Sequence, residues 1–146
     1  MDAIEILKAE HVGAKTLMHD VLAAGGAKRR ELFTVLKAEL EAHDRIEEEV
    51  FYPGVQDEPR AADYSSSDKK AHLSVEDLLR GLSTLSVDDQ SWTKRFHEMQ
   101  RQLLDHIAEE ETKFFVTVRS RFSSAQLESL GQKMAAAKKK ALVQAA

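Results

Sequence analysis

Three of the six histidines in this chain are followed four residues later by glutamate, giving His43/Glu47, His72/Glu76 and His106/Glu110, with His11 standing alone upstream. Four residues is about one turn of an α-helix, so each pair leaves one face of its helix as a ready two-ligand unit for a metal ion. With 15 glutamates among 146 residues, three such pairs arise by chance roughly once or twice in a hundred sequences of this composition. Seven side chains, His11, His43, Glu47, His72, Glu76, His106 and Glu110, are too many for one zinc ion, whose structural sites take four ligands. Two ions of octahedral preference fit the set better, and mixed imidazole and carboxylate ligands suit iron; manganese or zinc could occupy the same set. A carboxylate can bridge two ions and an imidazole cannot, which makes Glu47 and Glu110 the candidate bridges.

The competing interpretation of any one pair is a helix-surface ion pair worth a few tenths of a kcal/mol, and of His11 a core histidine satisfied by its neighbours. Phase separates the two. The first helix, about residues 2–23, carries Ile4, Leu7, His11, Ala14, Met18 and Val21 on one stripe and ends at Gly25-Gly26. The second, from about Lys28 to Tyr52, aligns Leu32, Leu36, Leu40, His43, Glu47 and Val50 before Pro53-Gly54 stops it. Asp57 to Ser67 reads as a polar loop, with Ser67 or Asp68 as N-cap of a third helix over about 69–84 that carries His72, Val75, Glu76, Leu79 and Leu82. The fourth, about 90–119, aligns Phe96, Met99, Leu103, His106, Glu110 and Phe114. Every pair therefore sits on an apolar stripe, where an uncompensated ionisable group is costly to bury and a metal cluster converts that cost into folding energy. Glu48, Glu49, Glu109 and Glu111 flank the pairs and are read as solvated or supporting; His19 and His97 fall off the ligand level.

Four long helices joined by short loops make an all-α, antiparallel up-down-up-down four-helix bundle the simplest topology. Residues 1–122 are expected to form it, and 123–146 a short additional C-terminal helix, starting at Ser123 or Ser124, packed on the bundle with a frayed end. At 146 residues one domain can bury a proper core. The absence of cysteine removes disulfides, thiolate ligands and thiol catalysis. Neither a secretory leader nor an apolar run of about 20 residues is present, so the expectation is a cytoplasmic protein without membrane attachment. The formal net charge of −4 argues against nucleic acid as a partner, and Lys138-Lys139-Lys140 is read as a solvated helix end.

On these residues the chain resembles the hemerythrin-like, HHE cation-binding proteins. The resemblance rests on a histidine in the first helix, His43-x-x-x-Glu47-Glu48 running into Phe51-Tyr52-Pro53, a His-led third helix, and His106-x-x-x-Glu110-Glu111 in the fourth, over roughly residues 5–120. It implies two non-haem iron ions bridged by an oxo or hydroxo group and carboxylates, with H2O2, O2 or NO as the small molecules bound, and hence roles in oxygen binding or oxidative stress. Oxygen carriers of that family have two histidines one turn apart in the third helix, whereas this chain has Glu76 in the second position. An added anionic ligand favours ferric over ferrous iron. That suits catalase-like decomposition of hydrogen peroxide, with Glu76 doubling as a proton acceptor, better than oxygen carriage. The alternative is O2, NO or iron binding for sensing or storage without turnover. The redox role of Tyr52 and Tyr64 is left open by the sequence, and a monomer or weak homodimer is expected.

Overall fold

A computed structural model describes residues 1–145, and among them only helices and the turns between them occur. Asp2 opens the first helix, α1 (Ala3–Ala23): its carboxylate accepts the Glu5 amide at 2.9 Å and is held by the Arg119 guanidinium at 3.0 Å. That arrangement satisfies one of the amides a helix start leaves unpaired. The chain reverses at Gly25-Gly26, where Gly26 takes φ +54°, a conformation that costs other residues more. Helix α2 (Gly26–Ile46) then continues without a break into a π turn, Glu47–Phe51, and a short helix α3 (Tyr52–Val55).

Helix α4 (Pro59–Ser83) begins ten residues before the expected start. The stretch expected to be a loop is helical because Glu58 caps it, accepting the Ala61 amide at 2.9 Å, and Pro59 occupies the first turn, where no amide is needed. Consequently Ser67 and Asp68 are interior helix residues and not caps. Helix α5 (Gln90–Glu109) is opened by Asp89, runs into a second π turn, Glu110–Phe114, and continues as α6 (Phe115–Arg121). A last helix, α7 (Ser124–Ala145), extends through the lysine run. The fraying expected of its end concerns in part Ala146, which lies outside the described residues.

Pairings along the helices fix their directions. Arg29 of α2 reaches the Val21 carbonyl of α1, and the His11 and His43 rings lie 5.1 Å apart. In the other hairpin the Trp92 indole donates to the Leu82 carbonyl, and Ser74 bonds Gln102. Tyr52 meets Asp68, and His11 meets Glu110. In each pair one residue number rises as the other falls, so neighbouring helices are antiparallel.

Two hydrophobic clusters divide the interior. One, around Met18, Phe33, Leu36, Trp92, Phe96 and Met99, fills the end near the α1–α2 turn. The other, around Ile4, Leu7, Phe51, Tyr52, Phe114 and Phe115, fills the opposite end and takes in Leu127 and Met134 of α7. The residues singled out for metal chemistry lie between the two.

Helix α7 lies against α1 and α2, and it comes closest at Gly131. A Cβ built there would stand 2.5 Å from the Met1 carbonyl oxygen and 2.9 Å from the Asp2 carbonyl carbon, both backbone atoms that cannot rotate away. Gly131→Ala is expected to destabilise the fold by about 1–3 kcal/mol through displacement of α7, even though alanine favours a helix interior by about 1 kcal/mol. Denaturant unfolding of the two proteins checks this; equal or greater stability of the alanine variant would show that α7 is not seated by this contact.

Candidate metal centre

Six of the seven residues singled out in the sequence converge. Ligand atoms of His11, His43 and Glu110 lie within 4.8 Å of one another, as do those of Glu47, His72 and His106. Glu47 and Glu110 are 0 % exposed, and the four histidines are nearly as enclosed. Glu47 Oε1 lies 3.0 Å from His43 Nε2 and 3.1 Å from His72 Nε2, while Glu110 lies 3.1 Å from His11 Nε2 and 3.3 Å from His106 Nε2. Each carboxylate thus stands between histidines of two helices.

The seventh residue is not brought in. Glu76 is partly exposed and lines a surface groove with Lys37, Glu41, Arg45 and Arg80. The acid that α4 does bring to the centre is Asp68, which shares a possible ligand group with His106 and Glu110. The reason is helix direction. On α2 and α5 the carboxylate follows its histidine by one turn, so on α4, which runs the opposite way, the residue at the carboxylate level precedes His72 by one turn. Asp44 also approaches, with Oδ1 3.4 Å from His72 Nε2. Sequence reasoning passed over Asp68 because it was read as a helix cap, and Asp44 because it adjoins His43 and not its stripe.

The two π turns begin at Glu47 and Glu110, and in each the amide five residues on, of Tyr52 or Phe115, closes the wide turn. Such turns insert one residue into the helical register, and they occur often at functional sites. Here the insertion turns Phe51 fully inward where Val50 was expected, Val50 being only partly buried. A sequence signal for both turns exists: His-x-x-x-Glu-Glu-x-x-Phe followed by Tyr or Phe recurs at 43–52 and 106–115. The recurrence also places an aromatic ring on a histidine twice, Phe115 stacking on His11 at 5.9 Å and Tyr52 on His72 at 6.0 Å. Of the two tyrosines, Tyr52 points its hydroxyl at the centre, 3.3 Å from His72 Nε2 and donating to Asp68 at 3.4 Å. Tyr64 instead stacks on Phe114.

Outer carboxylates orient two of the histidines. His43 Nδ1 donates to Glu10 at 2.7 Å and His11 Nδ1 to Glu111 at 2.6 Å, which turns each Nε2 toward the inner carboxylates. Glu111 had been read only as a supporting or solvated residue; Glu10 gave no sequence signal, being on α1 one residue before His11. Lys138 of α7 holds Glu10 in place with an ion pair of 2.9 Å and makes a second of 2.9 Å to Glu39. Burial opposes ionisation of Glu10, but His43 and Lys138 hold its carboxyl below the usual range.

The electrostatics show a cluster short of positive charge. Burial acts to lower the His43 pKa, yet Glu47, Glu10 and Glu110 raise it well above the ordinary imidazole value. His72, subject to the same opposition, is raised to about 9 by Glu47 and Asp44. Burial, together with the neighbouring Glu110, pushes Asp68 up to about 11, and burial lifts Asp44 to about 7. The Tyr52 phenol is raised as well, mainly by burial, and stays protonated. Protons thus supply the countercharge that the two inner carboxylates require. Even so, among the described residues the buried side-chain atoms without a hydrogen-bond partner are His11 Nε2, Glu47 Oε2, His72 Nδ1, His106 Nε2 and both Glu110 oxygens. All belong to this cluster. Orphaned imidazole nitrogens and carboxylate oxygens facing one another are a donor set that fits a cation.

Residues 2–118 match the model of the hemerythrin HHE cation binding domain. The chain belongs to the hemerythrin HHE cation-binding family. It is accordingly a metal-binding protein, and this cluster is its candidate centre. The crystal structure of a hemerythrin HHE cation binding domain-containing protein homologue from Mycobacterium kansasii is similar over 99 % of this chain and 89 % of that one, with a TM-score of 0.88 and 28 % identity. The chain is also 25 % identical over 147 residues to a DNA nickase of Nostoc sp., a match that takes in 96 % of this chain but only 40 % of the nickase. No helix among the described residues is long and apolar enough to cross a membrane.

Metal binding must displace the protons that now balance the cluster. Loading with a divalent ion near pH 7 is expected to release about two protons per chain, one each from His43 and His72, and affinity is expected to fall as the pH drops below 7. Calorimetric titration in buffers of different ionisation enthalpy reads the proton count, and zero release would contradict the charge balance described. Glu10→Ala is expected to weaken metal affinity roughly 10- to 100-fold, and Lys138→Met less, since lysine acts through Glu10; a competition assay against a chelator measures both.

Proposed function

We propose that this chain holds two iron ions and uses them to decompose hydrogen peroxide. The observation that carries the reading is the pairing of two buried three-ligand groups, His11/His43/Glu110 and Glu47/His72/His106, with an acid, Asp68, against them. Two groups give two ion positions, with Glu47 and Glu110 placed to bridge them. When bound, iron supplies Lewis acidity and holds the electrons exchanged between one peroxide molecule and the next.

The residues supply the rest. Decomposition oxidises one peroxide to O2, releasing two protons, and reduces a second to two waters, consuming two. Asp68 carries a proton within the centre, against Glu110 and beneath the Tyr52 hydroxyl. It can therefore donate to an oxygen that leaves and take the proton back in the other half of the cycle. Reversible oxygen carriage, by contrast, is served by a site that delivers no proton to the bound molecule. The third-helix acid therefore keeps the role assigned to Glu76 from sequence but moves to Asp68. The aromatic wall of Phe51, Phe114 and Phe115 closes one side of the centre to water. Small molecules are the partners this reading needs. The nickase likeness adds nothing to it, since the chain spans under half of that protein and carries a net charge of −4.

Iron-loaded protein is expected to contain about two irons per chain and to release O2 from peroxide faster than free iron. His43→Ala should lose iron and O2 release together. Asp68→Asn should keep its iron while O2 release falls about 100-fold, within the range for loss of a general acid. Metal analysis paired with an oxygen electrode separates these outcomes, and iron-replete protein without O2 release would overturn the peroxide reading.

A further inference from the structure

One side of the centre is walled by aromatic rings, but the other is open to a cavity of about 410 Å³. All four histidines of the centre line it, whereas Glu47 and Glu110 do not. Its wall is made by Ala14, Leu17, Leu40, Val75, Leu103 and Ile107, contributed by all four helices of the bundle. Its outer part is reached at Gly13 and Val35, both exposed.

The size is far beyond what peroxide or O2 requires. An apolar cavity of about 150 Å³ accommodates a benzene molecule, so this one has room for about ten to fifteen non-hydrogen atoms even with part of it open to solvent. The charges at its edge decide what kind of molecule fits. Lys138, the cation that lines it, is tied at 2.9 Å to both Glu10 and Glu39, and Glu10 is further engaged by His43. Asp44, the remaining acid on the lining, faces His72. No uncommitted cation remains among the lining residues to attract an anion, and the carboxylates would repel one. An organic cation would have to compete with Lys138 and then desolvate against leucine, valine and isoleucine.

The geometry points to a binding site for an uncharged, mostly hydrocarbon molecule of about ten non-hydrogen atoms, held between the aliphatic walls with one end at the four histidines. This deepens the reading given above and rests on it for what the molecule meets at the histidine end. Occupancy of the cavity itself depends only on its shape and lining. The substrate class implied is an apolar organic hydroperoxide or a molecule of like form, larger than hydrogen peroxide.

Gly13 offers a way to fill the cavity without disturbing the fold. A Cβ at this helical position meets nothing within 4 Å, and replacing a mid-helix glycine favours the helix. The probe is 2-phenyl-2-propanol, the uncharged alcohol of an aryl-alkyl hydroperoxide, titrated by calorimetry into the full chain as purified and again after iron loading. Saturable one-to-one binding is expected to the wild-type chain, at least tenfold weaker in Gly13→Leu and weaker again in Gly13→Phe, with benzoate binding at least tenfold more weakly than the alcohol. The alcohol should also slow O2 release from hydrogen peroxide by the iron-loaded wild type, but not by Gly13→Phe. Absence of saturable binding to the wild type, or equal binding to the glycine variants with their folding verified by circular dichroism, would overturn the site. Benzoate binding as tightly as the alcohol would overturn the assignment to uncharged ligands. Binding without any O2 release would leave the cavity established and reject the peroxide reading alone.

Discussion

A carboxylate enclosed between two hydrophobic clusters has no water to solvate it, and Glu47 and Glu110 are both in that position. Leaving either charge without compensation would cost several kcal/mol, a large share of the stability of a domain this size. The rest of the structure is arranged around that cost. Four histidines surround the two carboxylates, Asp68 and Tyr52 stay protonated beside them, and Glu10 and Glu111 bond the outer nitrogens of His43 and His11. Protons can balance the charge but cannot saturate the geometry, because each hydrogen bond serves one direction. The orphaned nitrogen and oxygen atoms that remain are what a cation would satisfy.

Delivering those groups to one level is a matter of helix register and direction. Antiparallel neighbours bring His11 opposite His43 and His72 opposite His106, with ring separations of 5.1 and 5.3 Å. The π turns then do for both carboxylate-bearing helices what an unbroken α-helix could not. They keep histidine and glutamate one turn apart, and they rotate the next residues so that Phe51 and Phe114 close the site behind them. The two ends of the centre differ as a result. The aromatic end is tightly packed, while the aliphatic end leaves the cavity.

Helix α7 lies beyond the residues matched by the family model, which end at 118, yet it takes part in the same electrostatic arrangement. Gly131 allows it to approach the backbone of the chain's first residues, and that seating brings Lys138 to Glu10 and, through Glu10, to His43. A residue near the C-terminal end of the chain thereby helps orient a nitrogen at its centre. The lysine run read as a solvated helix end therefore divides: Lys138 is largely buried in ion pairs, and Lys139 and Lys140 are not.

The sequence by itself determined the helical bundle and six residues of the centre, because both are written in local periodicity. Apolar residues recur at helical spacing, and a histidine and a glutamate one turn apart on that stripe must face inward together. The stripe of α1 appears in the structure residue for residue, from Ile4 through His11 to Val21. What spacing could not convey was direction. A histidine has a neighbour one turn away on either side, and only the antiparallel run of α4 selects Asp68 over Glu76. The early start of that helix was hidden for a related reason, since a polar segment forms a helix when packing and a cap such as Glu58 stabilise it, whatever its own propensity. Glu10, Lys138 and the cavity were beyond reach of local pattern altogether. Each depends on contacts between residues far apart in the chain, and those are settled only when the helices are packed in three dimensions.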